Sequence, residues 1–343
     1  MTTTRRVRVL VVDDSAFARK VVREVLSRSA EIEVLGTARD GLDALEQIDR
    51  LDPDVVTLDL HMPELDGRGV LTALANRPRP RVLVVSTEGD DTADGLEALR
   101  LGALEIVRKP TATANDRLYA LGNELLDTVL AIGACEVKPQ LPSAPAVVSR
   151  VSRSTTRSIV VIGASTGGPH AIQRVLQSLP ADFPAAIACV IHMPVGYTEA
   201  YAERLDRECA LHVAEAIDGA VLEPGTAWIA RAGLHLRIVR EGASLVMRLV
   251  AEPLDTPHRP AVDVLFASAA EAAGASTLAV VLTGMGDDGC RGSGAITAAG
   301  GTVISQDAHS SVVYGMPRAV AEAGFSSAQV ALGEMAAAIV DRL

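Results

Sequence analysis

The chain has 343 residues, 48% of them hydrophobic, and a formal net charge of −11. That length suits two domains of ordinary size with a core each, the apolar fraction excludes a disordered chain, and the acidic balance argues against a broad nucleic-acid footprint. The start, Met1-Thr2-Thr3-Thr4-Arg5-Arg6, leads into a short strand-like run rather than a signal-peptide core, and no apolar run reaches membrane-spanning length. A soluble cytoplasmic protein with no membrane insertion and no nucleic-acid partner is expected.

From residue 7 to about 135 short β-branched runs alternate with amphipathic helical patterns, which predicts a parallel sheet covered by helices on both faces. Expected strands are Val7 to Val12, Ile32 to Thr37, Asp54 to Leu58, Val82 to Val85 and Leu104 to Val107; expected helices include Ser15 to Arg28, Gly41 to Leu51 and Asn115 to Ala134. A stretch rich in Pro, Ser, Thr and Arg then reads as a linker. The second α/β pattern starts at the run Ser158-Ile159-Val160-Val161-Ile162. It has strand candidates at Ala186 to Ile191, Ala227 to Ala230, Leu236 to Arg240, Leu245 to Val250, Leu278 to Leu282 and Thr302 to Ser305. The pair Leu236 to Arg240 and Leu245 to Val250 reads as a hairpin. The fold class is therefore α/β, two doubly wound parallel-sheet domains, the second with a small antiparallel hairpin. The four cysteines, Cys135, Cys189, Cys209 and Cys290, form no C-x-x-C pair, which argues against a disulfide framework or a zinc site.

In parallel sheets the carboxyl ends of the strands form the ligand crevice. In the first domain those ends carry Asp13, Asp14, Asp59, Ser86 and Lys109. Carboxylates gathered at one edge repel unless a cation intervenes, and oxygen ligands suit Mg²⁺. A carboxylate beside such an ion, with a hydroxyl and an ammonium at hand, can accept a phosphoryl group, and Asp59 is the expected acceptor. The set Val-Asp13-Asp14-Ser, Leu-Asp59-Leu-His-Met-Pro63-Glu-Leu-Asp66-Gly67, Ser86 and Lys109-Pro110 resembles the signature of two-component receiver domains, which are flavodoxin-like. The resemblance implies phosphorylation of Asp59 by a histidine kinase, Mg²⁺ held by Asp13, Asp14, Asp59 and the backbone carbonyl of His61, and phosphoryl contacts from Ser86 and Lys109. Ile106 occupies a position commonly aromatic in receivers.

The second domain opens with Gly163-Ala164-Ser165-Thr166-Gly167-Gly168, which places a serine hydroxyl on a tight strand-to-helix turn. The pattern fits a nucleophile elbow, and it also fits a glycine-rich phosphate cradle of the kind found in nicotinamide-dependent reductases. None of Tyr119, Tyr197, Tyr201 and Tyr314 is followed four residues later by lysine, so the usual reductase pair is missing. His192 directly follows a predicted strand and is the expected base. Asp288, in the small-residue turn Thr283 to Gly289, suits an orienting carboxylate, whereas the position of His258 cannot be read from sequence. The order Ser, His, Asp differs from that of α/β-hydrolases. Ser165 could also serve as a helix N-cap.

The blocks around Ser165, Ile191-His192-Met193-Pro194, Pro224-Gly225-Thr226-Ala227, His258-Arg259-Pro260-Ala261-Val262-Asp263, Leu282 to Gly289 and Tyr314-Gly315-Met316-Pro317 resemble chemotaxis protein-glutamate methylesterases. The resemblance implies a receiver over residues 1–135, a linker over 136–157 and a Rossmann-like methylesterase domain over 158–343. It implies Ser165 as nucleophile, His192 as base, Asp288 as its orienting residue, and Thr166 and Met285 beside the oxyanion site, with no cofactor for the esterase chemistry. Substrates would be glutamyl methyl esters, and glutamine amides, on chemoreceptors; the partners would be those receptors and a chemotaxis histidine kinase. Phosphorylation is expected to open an esterase cleft that the unphosphorylated receiver covers. A receiver-linked adaptor with an inactive esterase-like domain is the alternative.

Overall fold

The computed structural model describes residues 5–75, 77, 80–86, 92–109, 115–134 and 159–343. The chain divides into two compact units, Met1–Pro139 and Gln140–Leu343. The expected linker and Cys135 lie outside the described residues.

The first unit has five parallel strands, β1 (Val7–Val12), β2 (Ile32–Ala38), β3 (Val55–Leu58), β4 (Arg81–Ser86) and β5 (Glu105–Arg108), in the order β2-β1-β3-β4-β5. Strands β3 and β4 are buried at every position, as expected when helices cover both faces. The helix Ala16–Leu26 begins where the Ser15 hydroxyl accepts from the Ala18 amide, and it buries Val22, Val25 and Leu26. Asp40 and Asp66 cap the helices Gly41–Leu51 and Gly67–Leu74 in the same way. These carboxylates satisfy amides that the first helical turn leaves without partners.

The second unit carries β6 (Ile159–Ala164), β7 (Ala186–Ile191), β8 (His212–Glu215), β9 (Thr226–Ile229), β10 (His235–Glu241), β11 (Ser244–Val250), β12 (Thr277–Val281), β13 (Thr302–Gln306) and β14 (Gln329–Val330). Seven of them form one parallel sheet in the order β14-β13-β12-β6-β7-β9-β8, and β10 and β11 form a separate antiparallel hairpin. The hairpin is fastened to the helix Val262–Ala273: the Ser268 hydroxyl accepts from the Ile238 amide at 3.0 Å, and Arg240 Nε donates to the Ala272 carbonyl at 2.7 Å. Strands β8 and β14 are additions to the sequence expectation. Each lies at a sheet edge; β8 is only partly buried and β14 is two residues long, so neither leaves an apolar run.

Two glycines of the segment after β6 have separate duties. A Cβ on Gly163 would lie 2.3 Å from Val262 Cγ1, so this glycine lets the start of the helix Val262–Ala273 sit directly over β6. Gly167 has φ +76°, the left-handed region that a side chain disfavours, and forms the N-cap of the helix Gly168–Gln177. The cap therefore uses no side chain, and the Ser165 hydroxyl does not serve as an N-cap. Overpacking typically costs about 1–3 kcal/mol, and Gly163→Ala is expected to lose that much stability in urea unfolding; an unchanged midpoint contradicts the close-approach account.

Candidate active site and phosphoacceptor site

In the second unit three adjacent strands end together. Strand β6 lies between β12 and β7, and beyond its last residue the Ser165 amide donates to the Thr283 carbonyl at 3.0 Å while the His192 amide donates to the Ala164 carbonyl at 3.2 Å. The turns that follow β6, β7 and β12 are thus tied to one another by backbone bonds. Thr283 is the knot: its amide donates to Gln306 Oε1 at 2.8 Å, and its hydroxyl donates to the Thr166 carbonyl at 2.9 Å and accepts from the Val313 amide at 2.9 Å. A Cβ on Gly284 would lie 2.8 Å from Ser165 Cβ, which sets how closely the two turns approach. Ser165 and Thr166 are buried, and the Ser165 amide is already engaged.

His192 and Asp288 are joined, His192 Nε2 to Asp288 Oδ2 at 2.9 Å, with side chains 10% and 13% exposed. The carboxylate is held twice more, Oδ2 by the Val262 amide and Oδ1 by the Asp263 amide, both at 2.8 Å. These are free amides at the start of the helix Val262–Ala273, where a negative charge is favoured. Asp263 returns the arrangement, its Oδ1 accepting from the amides of Gly289 and Gly292 at 2.9 and 2.8 Å beside the start of the helix Cys290–Ala298. Burial pushes the Asp288 carboxyl upward, but the His192 bond and charge and the two amides outweigh it and hold it below the usual carboxylate range. Asp288 is therefore ionised where it meets His192.

The other ring nitrogen, His192 Nδ1, is buried and has no hydrogen-bond partner among the described residues. The Ser165 hydroxyl is accordingly not bonded to His192. Such contacts are often open in the absence of substrate. The structure thus brings Ser165, His192, Asp288, Thr166 and Met285 to the carboxyl ends of β6, β7 and β12.

In the first unit the strand ends gather Asp13, Asp59, Ser86 and Lys109, all buried, with Asp14 exposed beside them. Lys109 Nζ bridges Asp13 Oδ2 at 2.9 Å and Asp59 Oδ2 at 2.8 Å, and the Lys109 amide donates to the Ser86 carbonyl at 2.7 Å. Oxygens of Asp13, Asp14 and Asp59 lie within 4.8 Å of one another. Burial raises the Asp59 carboxyl above its ordinary value; the bond and charge of Lys109 oppose this and the neighbouring Asp13 adds to it. Burial alone would lower Lys109, but the two carboxylates hold it above its ordinary value. Three carboxylates against one ammonium leave excess negative charge, which fits a divalent cation. The His61 side chain turns to Asp94, Nε2 to Oδ2 at 3.1 Å.

Residues 160–339 match the CheB methylesterase family, and residues 9–120 match the response regulator receiver domain. The chain belongs to the CheB methylesterase family. It is 53% identical over 341 residues to the protein-glutamate methylesterase/protein-glutamine glutaminase 5 of Myxococcus xanthus, covering 98% of each chain. To the protein-glutamate methylesterase/protein-glutamine glutaminase of Halalkalibacterium halodurans it is 41% identical, covering 92% of each. The crystal structure of the Thermotoga maritima CheB methylesterase catalytic domain aligns with a TM-score of 0.54 at 38% identity, covering 55% of this chain and all of that one.

Within this CheB-type chain one site residue, Asp263, escaped sequence reasoning. Asp263 gave no signal beyond its place in the block His258 to Asp263, because a reciprocal cap between two helix starts is a tertiary relation. Ile106 is buried in the sheet at 3% exposure, an aliphatic side chain with no aromatic ring to rotate. Cys290 opens the helix Cys290–Ala298, its thiol pushed up by burial and by Asp263 and Asp287, and it donates weakly to the Ala319 carbonyl. Among the described residues no helix is long and apolar enough to cross a membrane.

His235, at the start of β10, is fully buried. Nε2 meets the Pro253 carbonyl at 2.9 Å, and Nδ1 accepts from the Ala261 amide at 3.1 Å. Accepting at Nδ1 requires the neutral ring. Burial drives His235 below its ordinary value of 6.5, with Arg259 adding to the shift and the Pro253 carbonyl and Asp288 opposing it. In the unfolded chain the ring is protonated at a higher pH than in the fold, so its contribution to stability is complete above pH 6.5 and is lost as pH falls below it. Urea midpoints taken at successively lower pH should therefore drop less steeply in His235→Asn than in the wild type, and equal slopes contradict the assignment.

Proposed function

We propose that this protein is a phosphorylation-regulated protein-glutamate methylesterase, with protein-glutamine glutaminase activity at the same site, acting on chemoreceptors in chemotactic adaptation. The observation that carries the esterase reading is the state of His192: one ring nitrogen is bonded to an ionised Asp288, and the other is buried and without a partner among the described residues, at the strand ends that carry Ser165. An imidazole oriented at one nitrogen and vacant at the other is suited to take a hydroxyl proton.

In this reading the Ser165 Oγ–H bond breaks as Oγ bonds to the γ-carbonyl carbon of a glutamyl methyl ester, and His192 Nδ1 receives the proton. Asp288, held by the Val262 and Asp263 amides, stabilises the imidazolium and does not itself take the proton. The developing oxyanion needs N–H donors other than that of Ser165, which is spent on Thr283. The amides of Thr166 and Met285 fill this role. One such donor typically contributes about 10²- to 10³-fold in rate. His192 then returns the proton to departing methanol, leaving a glutamyl-serine ester. Water, giving a proton to His192, releases glutamate and restores the hydroxyl. A glutamine side chain follows the same path with ammonia leaving.

The receiver supplies control. Asp59 accepts a phosphoryl group from a chemotaxis histidine kinase, a cytoplasmic exchange. Mg²⁺ suits the cluster of Asp13, Asp14 and Asp59, completed by the His61 carbonyl, and when bound it neutralises phosphoryl oxygens. Ser86 and Lys109 contact the same group. The added charge, roughly −1.5 to −2, falls beside a lysine now spent on Asp13 and Asp59, so phosphorylation must redistribute those bonds.

A methanol-release assay on methylated receptor membranes tests both halves. Ser165→Ala is expected to lose at least about 10⁴-fold in kcat, as loss of a nucleophile does. Near-wild-type turnover refutes the nucleophile. A small-molecule phosphodonor with Mg²⁺ should raise the wild-type rate and leave Asp59→Ala unchanged, and an equal response of both proteins contradicts control through Asp59.

A further inference from the structure

The loop between β11 and the helix Val262–Ala273 contains a third histidine. His258 stacks on His192, with ring centroids 3.9 Å apart and planes inclined by 20°. This is face-to-face contact between the proposed base and a ring to which the reaction as derived above assigns no proton. We propose that His258 is a positioning residue for His192: its ring covers one face of the base, fixes the plane in which Nδ1 is presented, and keeps water from that face.

The way the loop is built supports the proposal. Its two ends meet on one buried side chain, since His235 engages the Pro253 carbonyl through Nε2 and the Ala261 amide through Nδ1. The Thr256 hydroxyl lies 3.3 Å from the same Nε2, and the Gly233 amide donates to the Arg259 carbonyl at 3.0 Å. His258 lies between these ties, within a segment closed at both ends. One and two residues past the Ala261 tie, the amides of Val262 and Asp263 hold Asp288. One short stretch of chain therefore sets both contacts that orient His192, the carboxylate at Nε2 and the ring against its face.

Charge fits the same assignment. The charged and titratable groups that bear on His258 are His192 and Asp288. The covered face and the neighbouring His192 lower His258 below the ordinary imidazole range, against the opposing pull of Asp288. His258 therefore stays neutral at neutral pH. Neutrality matters because His192 becomes a cation during acyl transfer, and a second cation stacked on it would oppose that step. A neutral ring is an adequate partner, and its basicity is not required, so phenylalanine should replace it.

The proposal rests on the reading of His192 as the base, and three variants keep the two claims apart. Methanol release is measured over a range of pH for the wild type, His192→Ala, His258→Ala and His258→Phe. His192→Ala should be inactive. His258→Ala should lose about 3- to 10-fold in kcat, the size of one aromatic stacking contact, with KM little changed. The acid limb of its kcat/KM profile should differ from that of the wild type, because water then reaches the uncovered face of the ring. His258→Phe should recover both kcat and the wild-type profile. Wild-type rate and profile in His258→Ala, with His192→Ala inactive, overturn the positioning role alone. A loss that phenylalanine does not rescue overturns it too, since it assigns His258 another duty. Activity in His192→Ala overturns the reading of the site and the proposal with it.

Discussion

The carboxylate of Asp288 is the constraint on which the esterase site depends. It accepts from two backbone amides and from His192 at 2.8 to 2.9 Å while largely buried. A buried carboxylate without such partners would take up a proton, and a protonated one could not stabilise an imidazolium. The two amides come from the start of the helix Val262–Ala273, which can lie over β6 only because Gly163 has no side chain. Asp263, the second residue of that helix, in turn holds the turn from which Asp288 projects. His192 is thus oriented by a closed cycle of contacts, each member of which fixes the next.

Both units place their chemistry by the same topological rule and manage charge in opposite ways. In the receiver the strand order β2-β1-β3-β4-β5 brings Asp13 and Asp59 to neighbouring strand ends, and in the esterase β6 stands between β7 and β12. The receiver pocket gathers more negative charge than Lys109 alone can balance, which fits a divalent cation. The esterase pocket holds the Asp288 charge with protein donors, and His192 Nδ1 has no hydrogen-bond partner among the described residues.

Much of this could be read from the sequence, for identifiable reasons. Uninterrupted apolar runs such as Ile159 to Ile162 and Ala186 to Ile191 signal strands buried on both faces, and the residues of the turn that follows such a run fall at the crevice. That reasoning reaches Asp13, Asp59, Ser165, His192 and Asp288. It does not reach His258, because a loop between a hairpin and a helix carries no periodic signal, and its position is set by His235, a residue more than twenty positions earlier whose partners are backbone atoms. Nor does it separate the duties of Gly163 and Gly167, which look alike as letters but answer to a neighbouring helix and to a backbone dihedral. The edge strands β8 and β14 were invisible because they bury too little to leave a pattern.

The central claim is that the hydroxyl of Ser165 is made nucleophilic by His192. Peptide mapping by mass spectrometry after treatment of the full chain with a fluorophosphonate tests it most directly, since this reagent bonds to activated serine hydroxyls and spares ordinary ones. The account predicts a single adduct on Ser165 in the wild type and a much slower reaction in His192→Ala. An adduct at another serine, or labelling of Ser165 at the same rate without His192, would contradict it.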